Sequence, residues 1–364
     1  MGGWAKARGC TAAASYTPRH ELYTYPQRCG RAFDLQPDAA SVEVMNTESH
    51  SLESLTNLKR QRLETCAALQ QRTKRRLVFA RSEALELLAV EKPIEPEAER
   101  RRKDMDVVVG SPADKSRIKG VRFLSWNGPL ATTTVNRIVE CTTPASTWAH
   151  YAAILALDEL IVLGDSMMRR NQRLARAELA DFVSFLNAAS NVDDGRFEGS
   201  RNCRKALALM REGTDSSQET RTRLALLKYG LPPLQVNYPV RLPSGRTVFL
   251  DMAYPELRIA IEYDGGYHRF SSAQVLQDDK RREALETLGW IYIKVTLLDL
   301  RDAQAEENLA QRVATRCEDV LGVPVPLCAR LTTQQICDAR RFARKPIWER
   351  VDKRFWRARW AERS

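Results

Sequence analysis

Three carboxylates interrupt two apolar stretches of this sequence, in a pattern that could hold a metal ion. Asp251 is the one charged residue of the stretch 248–253, Glu262 lies near the end of the stretch 257–263, and Asp264 follows two residues later. Like charges that are withdrawn from water repel each other, so such a group requires a compensating cation, usually a divalent metal. The alternative is that these side chains form the solvated outer face of an antiparallel sheet.

The spacing of the carboxylates predicts that they share one face of a β-hairpin. A proline-containing turn separates the two apolar stretches and favours two short strands. Since side chains alternate along a strand, Glu262 and Asp264 project from the same face. If Ala253 pairs with Arg258, Asp251 lies on that face as well, diagonal to Glu262.

The segments around the hairpin predict an α/β unit. Upstream, a helix begins after Ser216, a favourable N-cap, and ends at a glycine followed by prolines. Downstream, Ser271 or Ser272 begins a second helix, whose predicted inward stripe has three- and four-residue spacing. The stripe consists of Val275, Asp278, Arg282 and Leu285. With strands at 236–240 and 290–295, the order is helix, three strands, helix, strand.

This combination resembles the PD-(D/E)XK nuclease superfamily, and within it the small domain of very-short-patch mismatch-repair endonucleases. The resemblance covers residues 215–295 and rests on a set of motifs. These are Glu219, Asp251, the run 262–265 with His268, Asp278 with Arg281 or Arg282, and the run 285–290. It implies a restriction-endonuclease-like core in the C-terminal half, which hydrolyses phosphodiester bonds with the help of Mg²⁺ or Mn²⁺.

The resemblance implies a role for each acid. Asp251 and Glu262 would be metal ligands, Asp264 a third acid, and Glu219 an outer carboxylate that reaches the metal through water. His268 would act as general acid or base, or contact the phosphate, and Asp278 would orient it.

Two positions depart from the family pattern. Leu250 replaces the proline that usually precedes the first acid, and Asp264 replaces the lysine that usually lies two residues after the second. The missing cation must then come from elsewhere, and Lys280 or Arg281 is the candidate. Arg281 and Arg282 are also the expected nucleic-acid contacts of this unit. The departure at Asp264 bears on activity and leaves the expected fold unchanged.

Each of these residues also has a structural interpretation. Glu219 lies three residues after Ser216 and fits a capping box. His268 could lie in a surface turn, and Asp278 could form a buried ion pair with Arg282. The basic run 280–282 could be a solvated helix face.

Composition is typical of a protein that binds a polyanion. The chain of 364 residues has 57 basic and 46 acidic residues, a net charge of +11, which favours nucleic acid as a partner.

The eight cysteines are scattered without a Cys-x-x-Cys pair, which favours reduced thiols over a zinc site or a disulfide framework. No apolar run is long enough to cross a membrane, so we expect a soluble, cytoplasmic protein without a membrane partner.

The order of segments predicts several regions. A disordered leader is expected at 1–50, with Met45 as an alternative start, and a region at 51–115 weakly resembles the winged-helix part of abortive-infection antitoxins. A structural leader is the alternative for that region. A mainly helical α+β region follows at 116–212, in which His150 is interpreted as structural, and the nuclease-like unit spans 213–322.

A basic, aromatic tail closes the chain at 323–364. Arg354, Arg357 and Trp356 are the expected nucleic-acid contacts there, because basic side chains neutralise phosphates and aromatic rings stack on bases. The alternatives are an amphipathic helix packed on the body or a helix at a membrane surface.

The sequence therefore predicts a metal-dependent endonuclease whose substrate is DNA. The alternative is a DNA-binding or toxin–antitoxin-like regulator that keeps the nuclease fold without turnover, and the absent lysine favours it. A third interpretation, an interaction protein without nucleic acid, treats the basic tail as incidental.

Overall fold

The computed structural model describes residues 52–190, 197–265 and 272–338. These residues form a mixed α/β fold with two separate sheets, in agreement with the predicted α/β class. The expected leader at 1–50 and most of the basic tail lie outside the described residues.

The first half of the chain contains a five-stranded mixed sheet. Its order is β3-β2-β1-β5-β4. The strands are β1 (Val78–Phe79), β2 (Met105–Val109), β3 (Val121–Ser125), β4 (Thr132–Val135) and β5 (Val139–Thr142). Strands β2 and β3 are parallel, as are β1 and β5, whereas the β1–β2 and β4–β5 pairs are antiparallel. The sheet thus includes strands on both sides of the expected boundary at residue 115.

Helices cover this first sheet and form one core with it. They are α1 (Leu52–Thr73), α2 (Arg81–Leu87), α3 (Glu97–Arg100), α4 (Pro144–Tyr151), α5 (Leu157–Met167), α6 (Leu179–Ser190) and α7 (Ser200–Leu209). The core contains Trp148, whose indole nitrogen donates to the Leu160 carbonyl oxygen at 2.9 Å and whose ring packs edge-on against Phe182. Five residues separate α4 from α5, and α6 follows α5 after eleven residues, so this part of the chain is mainly helical, as predicted for 116–212.

The second half contains a four-stranded sheet in the order β6-β7-β8-β9. Its elements are α8 (Ser217–Lys228), β6 (Gln235–Arg241), β7 (Thr247–Tyr254), β8 (Ile259–Tyr263), α9 (Ser272–Thr287), β9 (Ile291–Val295) and α10 (Ala303–Leu321). The β8–β9 pair is parallel and the other two pairs are antiparallel. The observed order of helix, three strands, helix and strand is the predicted one.

Apolar side chains cover both faces of this sheet. Met252, Ile261 and Ile293 pack against α8 and α10 on one face, whereas Ala253 and Ala260 pack toward α9 on the other. The strand residues therefore alternate between two buried layers, as expected when helices cover both faces of a sheet.

Helix α8 joins the two halves. Its Leu224 and Leu227 belong to the first core, while Ala225 and Leu226 belong to the second. Polar contacts also fix it to α5: Arg223 donates to Asp165 at 2.6 Å, Thr220 donates to the same carboxylate at 2.9 Å, and Arg221 donates to Glu159 at 2.8 Å. Residues 217–228 are accordingly buried at every position except Arg221, which is partly exposed.

The last described element returns to the first half. Helix α11 (Thr333–Ile336) follows Leu331, and both Leu331 and Ile336 enter the first core. The beginning of the expected tail thus packs on the body of the protein. Arg354, Trp356 and Arg357 lie outside the described residues.

Candidate functional site

The acids predicted from the sequence come together through a strand register that differs from the expected one. Ala253 pairs with Ala260, not with Arg258. The turn lies one residue later in the chain than predicted: residues 255–257 form a short 3₁₀ helix, Arg258 adopts a left-handed conformation with φ of 48°, and Tyr254 pairs with Ile259. The register continues to the pair of Met252 and Ile261, and one residue beyond it Asp251 lies opposite Glu262, not diagonal to it.

Asp251 is partly buried near the middle of β7. Its carboxylate accepts a hydrogen bond from the backbone N–H of Tyr263 at 3.0 Å. Burial raises the pKa of Asp251 from 3.8 to about 6, although that hydrogen bond and the neighbouring Arg281 oppose the shift. The side chain can therefore change its charge close to neutral pH.

Glu219 approaches Asp251 from the first turn of α8. The residue is only 6% exposed, and its carboxylate accepts hydrogen bonds from the Ser216 hydroxyl at 2.9 Å and from the Asp215 N–H at 3.0 Å. Burial, together with the Asp251 carboxylate, raises its pKa well above the usual value. Ser216 accepts from the Glu219 N–H at 3.3 Å. Glu219 thus belongs to the helix cap and to the acidic cluster at the same time.

Glu262 lies on β8 and is held by two donors. Arg281 of α9 donates to one carboxylate oxygen at 2.7 Å, and the Tyr292 hydroxyl of β9 donates to the other at 3.2 Å. The Glu262 carboxylate is therefore both charge-compensated and oriented. Burial and the nearby Glu262 carboxylate raise the pKa of Tyr292, which stays a protonated donor at neutral pH.

Asp264 is paired with a lysine that we did not predict. Lys294 of β9 forms an ion pair with it, and the parallel register places Lys294 beside Glu262. The sequence did carry a signal for this residue, because Tyr292 and Lys294 alternate with apolar residues on a buried strand. Lys280, the alternative cation expected from α9, is exposed, whereas Arg281 forms an ion pair with Glu262.

The prediction that Arg282 belongs to the inward stripe of α9 is wrong. This side chain is 54% exposed, pairs with Glu286 at 2.8 Å and lies 5.2 Å from the ring centroid of Tyr292. Among the described side chains of α9, Arg281, Ala284 and Leu285 contact the sheet. Of the remaining predicted residues, His268 and the side chain of Asp278 lie outside what the structure describes.

The first half of the chain also contributes to the rim of the cluster. Arg170, just after α5, donates to Asp215 at 2.7 Å, and its guanidinium carbon lies 5.1 Å from the centre of the Phe249 ring on β7. Asp215 in turn lies close enough to contribute to the raised pKa of Asp251 and Glu219. No periodicity relates Arg170 to residues so far along the chain, so sequence reasoning missed it.

The donor chemistry of the cluster suits a hard divalent cation. Among the described residues, no group of three or more acids, histidines or cysteines has a geometry that could hold a metal ion. Mg²⁺, however, is usually bound by one or two carboxylates and retains several waters, so a pair of carboxylates meets its needs. Asp251 and Glu262 provide such a pair, and Glu219 is a third carboxylate close to Asp251.

No family model matches the chain, and no solved structure matches it. Two uncharacterized proteins of Mycobacterium tuberculosis, from strains CDC 1551 and H37Rv, are each 28% identical to it over 195 residues. The match spans 54% of this chain and 64% of the length of each relative.

Within the described ranges, no helix combines the length and the apolar character needed to span a membrane.

Proposed function

We propose that this chain is a metal-dependent endonuclease of the PD-(D/E)XK type that hydrolyses phosphodiester bonds, with DNA as the expected substrate. The observation that carries the proposal is the convergence of Asp251 and Glu262 on adjacent strands, with Glu219 delivered by a separate helix. Desolvated acids that raise one another's pKa are typical of functional sites. The order and pairing of β6 to β9 with α8 and α9 support a restriction-endonuclease-like arrangement.

Asp251 and Glu262 are the residues that would hold Mg²⁺ or Mn²⁺, and Glu219 would reach it through water. When bound, the ion would lower the pKa of a water and compensate the charge that develops on the scissile phosphate. The protein itself contributes rigidity: the Tyr263 N–H fixes Asp251, and Arg281 and Tyr292 fix Glu262. Ligands held in this way keep their geometry without reorganisation.

Cations beside the acids support a polyanionic substrate. Arg281 and Lys294 place positive charge on either side of Glu262, close to the position where the family has its lysine. Side chains of this kind attract and position phosphates, which makes nucleic-acid binding dependent on salt. The basic tail, with Arg354, Arg357 and Trp356, would extend this contact.

Cleavage of plasmid DNA tests the proposal most directly. We expect nicking or linearisation by the wild type with Mg²⁺ or Mn²⁺, and its loss in Asp251→Asn and Glu262→Gln. Glu256→Gln is the matched control, because Glu256 is an exposed acid of the same hairpin. This variant should cleave DNA like the wild type. Equal cleavage by all three variants would place the activity elsewhere or in a contaminant.

A second function has its own support. Asp264 occupies the position of the family lysine, and Arg281 neutralises Glu262 in the described structure. Both features suit a DNA-binding regulator that keeps the fold without turnover. Salt-dependent DNA binding by the wild type, together with no cleavage under any divalent cation, would favour this regulator over the endonuclease.

A further inference from the structure

A cavity of about 200 Å³ lies in the first half of the chain, remote in sequence from the acidic cluster. It opens between the ends of β2 and β3, the start of α2 and the helix α4. Its polar and aromatic lining comprises Arg81, Lys115, Phe123, Ser125, Trp126 and His150.

His150 is the most unusual residue of this lining. It is only 4% exposed, yet neither ring nitrogen has a hydrogen-bond partner among the described residues. Nearly all buried polar groups in folded proteins are hydrogen-bonded, so such an orphan indicates a missing partner. Burial and the nearby Arg81 lower the pKa of His150 to about 3. The neutral ring therefore offers one donor and one acceptor to the cavity.

The side chain of Arg81 likewise has a buried nitrogen without a hydrogen-bond partner in the described part of the chain. Its Nε atom is buried without a hydrogen-bond partner in the described ranges, and its Nη1 atom lies 3.8 Å from Glu99 and 3.9 Å from Asp106. Those carboxylates are bound more closely by Arg122, at 3.1 Å and 2.6 Å. Arg81 also has a left-handed backbone with φ of 50°, and strain of this kind concentrates at ligand sites.

Trp126 gives the cavity a fixed aromatic wall. Its indole nitrogen donates to the Pro129 carbonyl oxygen at 3.0 Å, and its ring centroid lies 4.3 Å from that of His150 and 5.0 Å from that of Phe197. The indole is thus held in one orientation before any ligand binds. Pre-organised walls of this kind favour binding of another flat ring.

We propose that this cavity binds a small ligand that consists of one flat ring and one anionic group. The Arg81 and Lys115 cations would hold the anion, His150 would hydrogen-bond to the polar edge of the ring, and Trp126 and Phe123 would pack against its faces. The volume supports this class of ligand, since a cavity of about 150 Å³ is known to admit benzene.

Two pairs of probes test the proposal. Benzoate and nicotinate are flat monoanions, and benzamide and nicotinamide are their neutral counterparts of nearly the same shape. We expect both anions to bind the full chain in ligand-observed NMR and to raise its melting temperature at millimolar concentration. The neutral amides should bind roughly tenfold or more weakly, because they lose the charge-assisted hydrogen bonds.

Variants then locate the site. Lys115→Met should weaken binding of the anions, while Lys119→Met, which changes another exposed lysine of the same loop, should not. His150→Phe keeps a flat ring but removes both ring nitrogens, so it should weaken binding of the anions. Because Lys115 is exposed, its replacement is not expected to disturb folding, so the test does not depend on the stability of the His150 variant.

Three results would overturn the proposal. One is the failure of both anions to bind the wild type at millimolar concentration. Another is equal binding of anions and amides. The third is unchanged binding of the anions by Lys115→Met and by a folded His150→Phe variant.

Discussion

The Asp251 carboxylate lies where its negative charge is disfavoured, because the effect of burial exceeds that of the Tyr263 N–H and of Arg281. The residue ionises less readily than a free aspartate because it is buried, and its pKa is raised from 3.8 to about 6. The folded protein thus binds this proton more tightly than the unfolded chain does. The resulting stabilisation is complete below pH 3.8 and is lost as the pH rises through about 6.

Asp251→Asn should therefore stabilise the metal-free protein at alkaline pH. We expect the free energy of unfolding at pH 8 to rise by roughly 1–3 kcal/mol, since one pKa unit corresponds to about 1.4 kcal/mol. The gain should shrink as the pH falls through about 6. Asparagine keeps an oxygen that can accept from the Tyr263 N–H. Urea unfolding in EDTA at pH 8 and pH 5 measures the effect.

The exposed Glu256 again provides the control. Glu256→Gln should change the free energy of unfolding by less than about 0.5 kcal/mol at either pH. If Asp251→Asn is less stable than the wild type at pH 8, the carboxylate is compensated by a contact other than those described above.

Helix α8 shows how a short element can be fixed by charge as well as by apolar packing. Its Arg223 forms an ion pair with Asp165 in which both side chains are almost fully buried. Burial raises the pKa of Asp165, while Arg223 and the Thr220 hydroxyl oppose that shift. Removal of Arg223 would leave the buried Asp165 carboxylate with hydrogen-bond donors but without its positively charged partner, which costs far more than the pair itself contributes.

Arg223→Met should consequently destabilise the protein strongly. We expect a loss of about 3–5 kcal/mol in the free energy of unfolding, measured by urea titration. Arg316→Met is the matched control, because Arg316 pairs with Asp319 at 3.3 Å on the exposed face of α10. That change should cost no more than about 1 kcal/mol. Similar losses in the two variants would contradict the role assigned to the buried pair.

Elements with strong local signals could be predicted from the sequence. The strands around Asp251 and Glu262 differ from prediction by at most two residues. The β4–β5 hairpin was missed, because its turn places Asn136 and Arg137 in left-handed conformations without a glycine. Periodicity alone offers no sign of such a turn.

The strand register of the candidate site and the cations around it could not be predicted from the sequence. The sequence indicated which acids would meet, but their register depended on the left-handed Arg258, which has no local signature. Arg170 and Lys294 reach the cluster by tertiary packing and pairing between strands. The orphaned His150 was interpreted as structural because only the packed fold reveals its missing partners.

At the scale of the whole molecule, we expect the two halves to fold as one unit, because helix α8 packs in both of their cores. Both cores include side chains of α8, so neither half is complete without this helix. The last described helix, α11, also returns to the first core. Boundaries placed at residue 213 or 323 would each divide a core.

A chain limited to residues 213–338 should not fold by itself. Leu224 and Leu227 would be exposed to water, and Arg223 would lose its buried partner. A chain of residues 52–338 keeps these contacts and should show one cooperative transition. Circular dichroism during urea titration distinguishes the two outcomes. A cooperative transition of the shorter chain at the midpoint of the longer one would show that the second half is independent.

The left-handed Arg258 has a consequence for variation in chain length. Its carbonyl oxygen accepts from the Ile291 N–H at 2.7 Å and its guanidinium donates to the Leu288 carbonyl oxygen at 2.9 Å, so the start of β8 is fixed against β9. An inserted residue between β7 and β8 must therefore either break this turn or shift β8 by one position, and such a shift would turn Glu262 toward the opposite face of the sheet. The turn around Gly245 has open space and precedes Asp251. Homologues that differ in length should therefore carry their insertions at that turn and keep the four residues that separate Tyr254 from Ile259.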